Sequence, residues 1–368
     1  MRVPLVVVMT CLLGGLIGLH AQAPGKTLDI YFIDTEGGQS TLYVGPTGES
    51  LLVDTGNAGD RDLGRIAETL KAAGVQRVDH MWSTHYHGDH VGSLLALAKQ
   101  FPIVHFYDHG TPHPNDRIVA AAFMKSYDEL SRGRRTIVAP GDKVRIAGLD
   151  VTAVASANKY IRTNLRGGGQ RNTACAETKP KDEASYVDTD NGESAGFLMT
   201  YGRFRTVNLG DLTWNGEIDL MCPTNRIGPV DVYLTSHHGL ERSGSPALVH
   251  ALQPRVAIMN NGTRKGGAPD TFRVLHASPG LEDLWQLHWS HNAGLENAPA
   301  VFVANVDEPA TIAGVLTTPA GQGGRGAAGG GAAAHTPAQM IKISAAADGT
   351  FTITNTRNDF RKTYRPRD

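Results

Sequence analysis

The sequence predicts an α/β fold, and three observations carry that expectation. Apolar runs of strand length alternate with segments whose apolar residues recur at helical spacing. Clusters of Gly, Pro and Asp punctuate them. A loop dense in histidine and aspartate, "STHYHGDHVGS" at residues 83–93, directly follows one of the strand-like runs, so its side chains would project from a rigid edge.

The elements follow in order. "TLDIYFID" (27–34) has the apolar content of a strand, and "STLYVGPTGESLLVDTG" (40–56) reads as two strands joined at Gly45-Pro46-Thr47-Gly48. "LGRIAETLKAAGV" (63–75) has a helical period closed by Gly74. "VDHMWS" (78–83) is a strand and "VGSLLALAKQF" (91–101) a second helix. Short strands are expected over 135–156, and a long polar, Gly-rich excursion over 164–185. "GFLMTYG" and "RFRTVNLGD" form a hairpin-like pair ending at Asp211; "VDVYLTSHHG" and "PRVAIMNNG" are further strands. One domain is expected over 27–310. A Gly/Ala-rich linker or insertion follows at 311–338, then a C-terminal hairpin extension at 339–368 turning at Asp348-Gly349.

Bulk properties narrow the function. The 368 residues are 40% hydrophobic and 19% charged, with a formal net charge of −1. No global field favours nucleic acid or an anionic membrane, so no stable nucleic-acid complex is expected. Residues 1–23 read as a cleavable signal peptide: Arg2, an apolar stretch, then Ala21-Gln22-Ala23. The apolar run is short for a spanning helix, so a secreted or periplasmic protein with no membrane segment after cleavage is expected. Cys175 and Cys222 then face an oxidising compartment, as a disulfide or as two separate thiols.

The histidine loop carries the chemistry. His85 and His87 are two residues apart and can converge on one ion; Asp89 and His90 turn away and can serve a second. Imidazole with carboxylate suits Zn2+, and also Mn2+ or Fe. Asp211 ends an apolar strand, and one carboxylate can bridge two cations about 3.5–4 Å apart. Only one of His237 and His238 need bind; His238, directly before Gly239, is preferred.

With these separated motifs in this order, the chain resembles the metallo-β-lactamase superfamily, whose signature is H-x-H-x-D-H. The resemblance implies a four-layer αβ/βα sandwich with the metals at one edge of two facing sheets. It makes Asp54 in "LLVDTG" an orienting residue behind the ligands, Asp211 in "VNLGDL" the bridging carboxylate, and "LTSHHG" the source of a ligand to the second metal. A further histidine usual before the Gly-Asp motif is missing; "DNGESAGFLMTYG" stands there, with Asn191 and Ser194. His105, His109 and His113 come too soon after the loop to replace it. The Asn-x-x-Ser segment resembles the subgroup of bacterial DNA-uptake (ComEC-type) metallo-hydrolases.

The expected function is a secreted hydrolase using a metal-bound hydroxide, one or two ions, with Asp89 and Asp211 catalytic. Phosphodiesters rank first as substrate, and β-lactams or other acyl compounds (lactones, thioesters) second. A catalytically inactive metal-binding or interaction module is the alternative of another class. Lys159, Arg162, Arg166 and Arg171 in the middle of the chain are candidate phosphate contacts, though a solvated polar loop is the preferred reading of them.

Overall fold

Leu51 and Val53 face one way and Leu52 the other, as the two-residue period of a strand requires. Val256 and Ile258 oppose Ala257 and Met259 in the same manner. This alternation sorts the apolar residues of the computed structural model into three buried clusters. The first lies between two sheets and includes Phe32, Trp82, Phe197 and Trp285. The second lies between one sheet and helices carrying Leu220, Leu248 and Phe272. The third lies between the other sheet and helices carrying Ile66, Leu70 and Leu97. Three interfaces define four layers, the αβ/βα sandwich the motifs imply. The structure describes residues 26–292, 294–306 and 338–367. The signal-like segment 1–23 lies outside them, as does the Gly/Ala-rich stretch apart from Ala338.

The first sheet runs Arg361–Tyr364, Phe351–Asn355, Ile341–Ala345, Leu28–Phe32, Thr41–Val44, Ser50–Val53, Val78–Trp82, Ile103–Asp108, Arg135–Ile137. The second runs Val303–Asn305, Asp283–His288, Val256–Met259, Val232–Leu234, Phe204–Asn208, Gly196–Tyr201, Leu149–Ser156, Lys143–Ile146, with Lys159–Tyr160 paired to Leu149–Ser156. Each sheet is part antiparallel and part parallel. The parallel parts are Ser50–Val53 through Arg135–Ile137 and Phe204–Asn208 through Val303–Asn305. Parallel neighbours need crossovers, and the helices provide most of them.

Several expectations change. The helix expected over 91–101 is two short ones, Gly88–Val91 and Leu94–Leu97. The break falls where Gly92 packs on the loop after residue 56: its N–H donates to Gly56 O, Ser93 Oγ donates to Asn57 O, and a Cβ at Gly92 would collide with that backbone. Helices Ala121–Ser131, Trp214–Met221, Pro246–Leu252 and Pro269–His276 were not anticipated; the last three are seven or eight residues long, too short to establish a period. The C-terminal segment is three strands, not two, and is no appendage: Ile341–Ala345 pairs with Leu28–Phe32 and extends the first sheet. Asn305 and Gln339 hydrogen-bond each other twice, at 3.0 Å each, and so join the two sides of the intervening stretch. The polar excursion is tied down by a Cys175–Cys222 disulfide. Arg166 lies with Lys143 and Arg205 in a groove on the second sheet that contains none of the metal-motif residues.

Candidate metal centre

The motif residues come from the carboxyl ends of parallel strands in both sheets. Asp54 follows Ser50–Val53, the His85 loop follows Val78–Trp82, Asp211 follows Phe204–Asn208, and His237 and His238 follow Val232–Leu234. Carboxyl ends of parallel strands are where α/β sheets bind ligands. Backbone bonds lock the loops together. His237 N–H donates to Gly210 O (3.0 Å), Ala195 N–H to Thr84 O (2.8 Å), and Gln39 N–H to Asp89 O (3.0 Å).

Four residues, Asp89, His90, Asp211 and His238, bring one ligand atom each to within 4.8 Å of one another. Asp211 Oδ2 is central: it lies 3.2 Å from His90 Nε2, 3.4 Å from His238 Nε2, 3.5 Å from His237 Nε2 and 4.0 Å from His85 Nε2. His85 Nε2 faces His87 Nδ1 at 3.0 Å. Asp89, His90, Asp211 and His238 thus converge, with His85 at the edge of the group and His87 beside His85. Of the two adjacent histidines, His238 joins the four-residue group, while His237 lies 3.5 Å from Asp211 Oδ2 and turns its Nδ1 to Ser243 Oγ.

The arrangement fits a divalent cation. His90 Nδ1 is 2.8 Å from Asp54 Oδ2, so its Nε2 presents a lone pair, yet His90 Nε2 and His238 Nε2 face each other at 3.3 Å. Asp211 Oδ1 is buried with no hydrogen-bond partner among the described residues. A divalent cation between these facing nitrogens would also give the orphaned carboxylate oxygen a partner. A proton can meet the same need: despite burial, Asp211, Asp89 and Asp54 hold His90 well above the ordinary imidazole range. Burial, with His90 and His87, pushes His85 well below that range. Burial opposes ionisation of Asp211, but His238, His90 and His237 outweigh it and hold the carboxyl well below its usual value.

The orienting groups are specific. Asp54 accepts from Thr84 N–H (2.8 Å) and Thr84 Oγ1 (2.7 Å), which fixes the carboxylate that steers His90. Asp116, unremarked in the sequence, does the same for His87: its Oδ2 is 3.0 Å from His87 Nε2. Burial would depress the His87 pKa, but the Asp116 bond holds it above the ordinary value. Asp54, His237 and His238 have φ of 58°, 52° and 56°, left-handed backbone that side chains other than glycine rarely adopt and that clusters at functional sites.

Asn191 and Ser194 lie on the segment that leads into Gly196–Tyr201. Ser194 Oγ accepts from Asp211 N–H at 3.2 Å and so seats the central carboxylate. Asn191 is buried, with Oδ1 unpartnered among the described residues. The three early histidines make other contacts: His109 packs on Asp190 and Tyr86, His113 N–H donates to Asp190 Oδ1, and His105 stacks on His80.

Residues 34–150 match the family model described as Metallo-beta-lactamase superfamily. The chain is similar to Competence protein ComA of Neisseria gonorrhoeae, 25% identical over 252 residues, which is 68% of this chain and 30% of that protein. It is 29% identical over 122 residues to an atrochrysone carboxyl ACP thioesterase of Passalora fulva, 33% of each. The chain spans about a third of the length of these two relatives. Among solved structures, the metallo-beta-lactamase fold protein YhfI of Bacillus subtilis aligns over 70% of this chain and 96% of its own, with TM-score 0.43 and 12% identity.

Proposed function

We propose that the chain is a metal-dependent hydrolase of phosphodiesters that works in an oxidising compartment outside the cytoplasm. The observation that carries the hydrolase reading is the convergence of Asp89, His90, Asp211 and His238 beside the facing nitrogens of His85 and His87. A divalent cation bound there, Zn2+ first with Mn2+ or Fe as alternatives, supplies Lewis acidity that lowers a water's pKa and polarises the scissile bond. His85 Nε2, His87 Nδ1 and Asp211 would hold one ion, and Asp89, His90 and His238 would hold another. Asp54 and Asp116 keep His90 and His87 aimed. His237, pushed down to about 4 by burial, is neutral at pH 7 and offers Nε2 to a bound substrate.

The competence-protein relative, matched over 68% of this chain, supports the phosphodiester ranking. The thioesterase relatives, matched over shorter stretches, favour acyl compounds as the second reading. The disulfide supports an exported protein. Metal analysis of the purified chain with a chromogenic panel tests the proposal. A bis-aryl phosphodiester should be turned over, and His85→Ala or Asp211→Ala should lose at least about 100-fold, more than an outer partner's typical loss. Prompt thioester or β-lactam hydrolysis without phosphodiester turnover reverses the ranking. Bound metal with no turnover on the panel points to a binding module instead.

A further inference from the structure

Asp89 does not face the histidines alone. Lys265 Nζ donates to Asp89 Oδ2, the same oxygen that lies 3.6 Å from His90 Nε2 and 3.4 Å from His238 Nε2. An ammonium group therefore stands where a second cation would draw on Asp89. The Asp89 carboxyl is half-buried, and despite that desolvation Lys265 and the two histidines hold it well below its usual range.

The loop around Lys265 is built to put it there. Gly262 N–H donates to Lys265 O at 2.8 Å, and Gly267 N–H to His238 O at 3.1 Å. Asn292 Nδ2 donates to Arg264 O (2.6 Å) and Gly266 O (3.1 Å), pinning the backbone on both sides of the lysine. Gly266 has φ of 73°, and a Cβ there would run into the His238 carbonyl. A Cβ at Gly262 would lie 2.7 Å from Glu36 O. Backbone packs directly on backbone, on the His238 turn to one side and on the turn at Glu36 to the other. The lysine side chain is only 18% exposed. A solvated surface lysine has none of these restraints.

We infer that Lys265 is a built-in cation at the second metal position, so that the centre takes one ion firmly and a second only against the ammonium. The inference rests on the metal-centre reading above. Asp89 and Asp211 bring two negative charges. One divalent ion and Lys265 already exceed them, and a second ion adds two more positive charges within contact of the ammonium in a buried site. Asp89 Oδ2 cannot serve both Nζ and a metal ion without giving up part of each bond.

The test is metal stoichiometry rather than turnover. The full chain is stripped with chelator, equilibrated with excess Mn2+ or Zn2+ and gel-filtered; metal per chain is read by elemental analysis and affinities by calorimetry. Wild type should hold about one ion, and Lys265→Met about two, or should bind the second at least about tenfold more tightly. Lys265→Arg, which keeps the charge, should stay near one. Unchanged melting of the metal-free variants separates a charge effect from misfolding. Two ions in wild type, with affinities that Lys265→Met leaves unchanged, overturns the inference and leaves the metal centre standing. No ion in any form overturns both.

Discussion

Two groups of carboxylates and histidines gather in this chain with the same kinds of donor atom. In one, Asp34, Glu36 and His288, the positive charge comes from the protein. Arg65 Nη1 lies 2.9 Å from Asp34 Oδ2 and 3.2 Å from Glu36 Oε1, and His288 Nε2 meets Asp34 Oδ1 at 2.7 Å. In the other, nitrogen faces nitrogen and Asp211 Oδ1 is left over. The first group fastens the Leu28–Phe32 end to a helix and to the second sheet. The second is arranged around a charge that the chain supplies only in part, through Lys265. Donor type alone does not make a metal site; what distinguishes the two is whether a guanidinium already fills the gap. Glu217 shows a third solution. Fully buried, accepting from Gly244 N–H (2.8 Å) and Ser245 N–H (2.6 Å) with no cation bonded to it among the described residues, its carboxyl is pushed up to about 7 by burial and so tends to keep its proton.

The comparison breaks most readily at Arg65. Its side chain is 10% exposed and Asp34 is 1% exposed, so Arg65→Ala strands buried negative charge and should cost about 3–5 kcal/mol in chemical denaturation. Added divalent cation should restore part of that loss if the emptied cluster then behaves like the metal centre. An unchanged midpoint would mean that the two clusters differ in something other than a resident cation. A smaller effect is expected at Asp54→Asn, which keeps the shape but weakens the hold on His90. Metal affinity should fall roughly 10–100-fold with stability nearly intact, read by chelator competition. Equal affinity would separate His90 from its carboxylate partner. The mildest test is at Glu217. A carboxyl whose folded pKa is raised contributes stability that is complete below its ordinary value of 4.5 and fades as pH rises through about 7. Glu217→Gln should flatten the fall in melting temperature across that window; an identical slope in the variant would assign the fall to other groups.

The sequence made the first ligands legible because they are contiguous: spacing along one loop is enough for His85, His87, Asp89 and His90. Asp211 and His238 were legible only as separate motifs set in order. Asp116 and Lys265 were not. Each reaches the centre from a turn whose residues have no periodic signature, and tertiary packing alone brings Lys265 to Asp89, 176 positions away. Arg65 was hidden differently, since within "LGRIAETL" it reads as the solvent face of a helix. Of the fold, strand content was readable throughout the first sheet up to residue 83. The pairing of Ile341–Ala345 with Leu28–Phe32 was not, because nothing local encodes a partner three hundred residues distant.

That pairing also gives the chain a place to be edited. Since Asn305 and Gln339 hold each other directly, the span between them enters and leaves the domain at a single point. Shortening such a span changes closure entropy only slowly with length. An affinity handle or a fluorescent reporter spliced between those two residues should therefore leave the pairing of Ile341–Ala345 with Leu28–Phe32 intact.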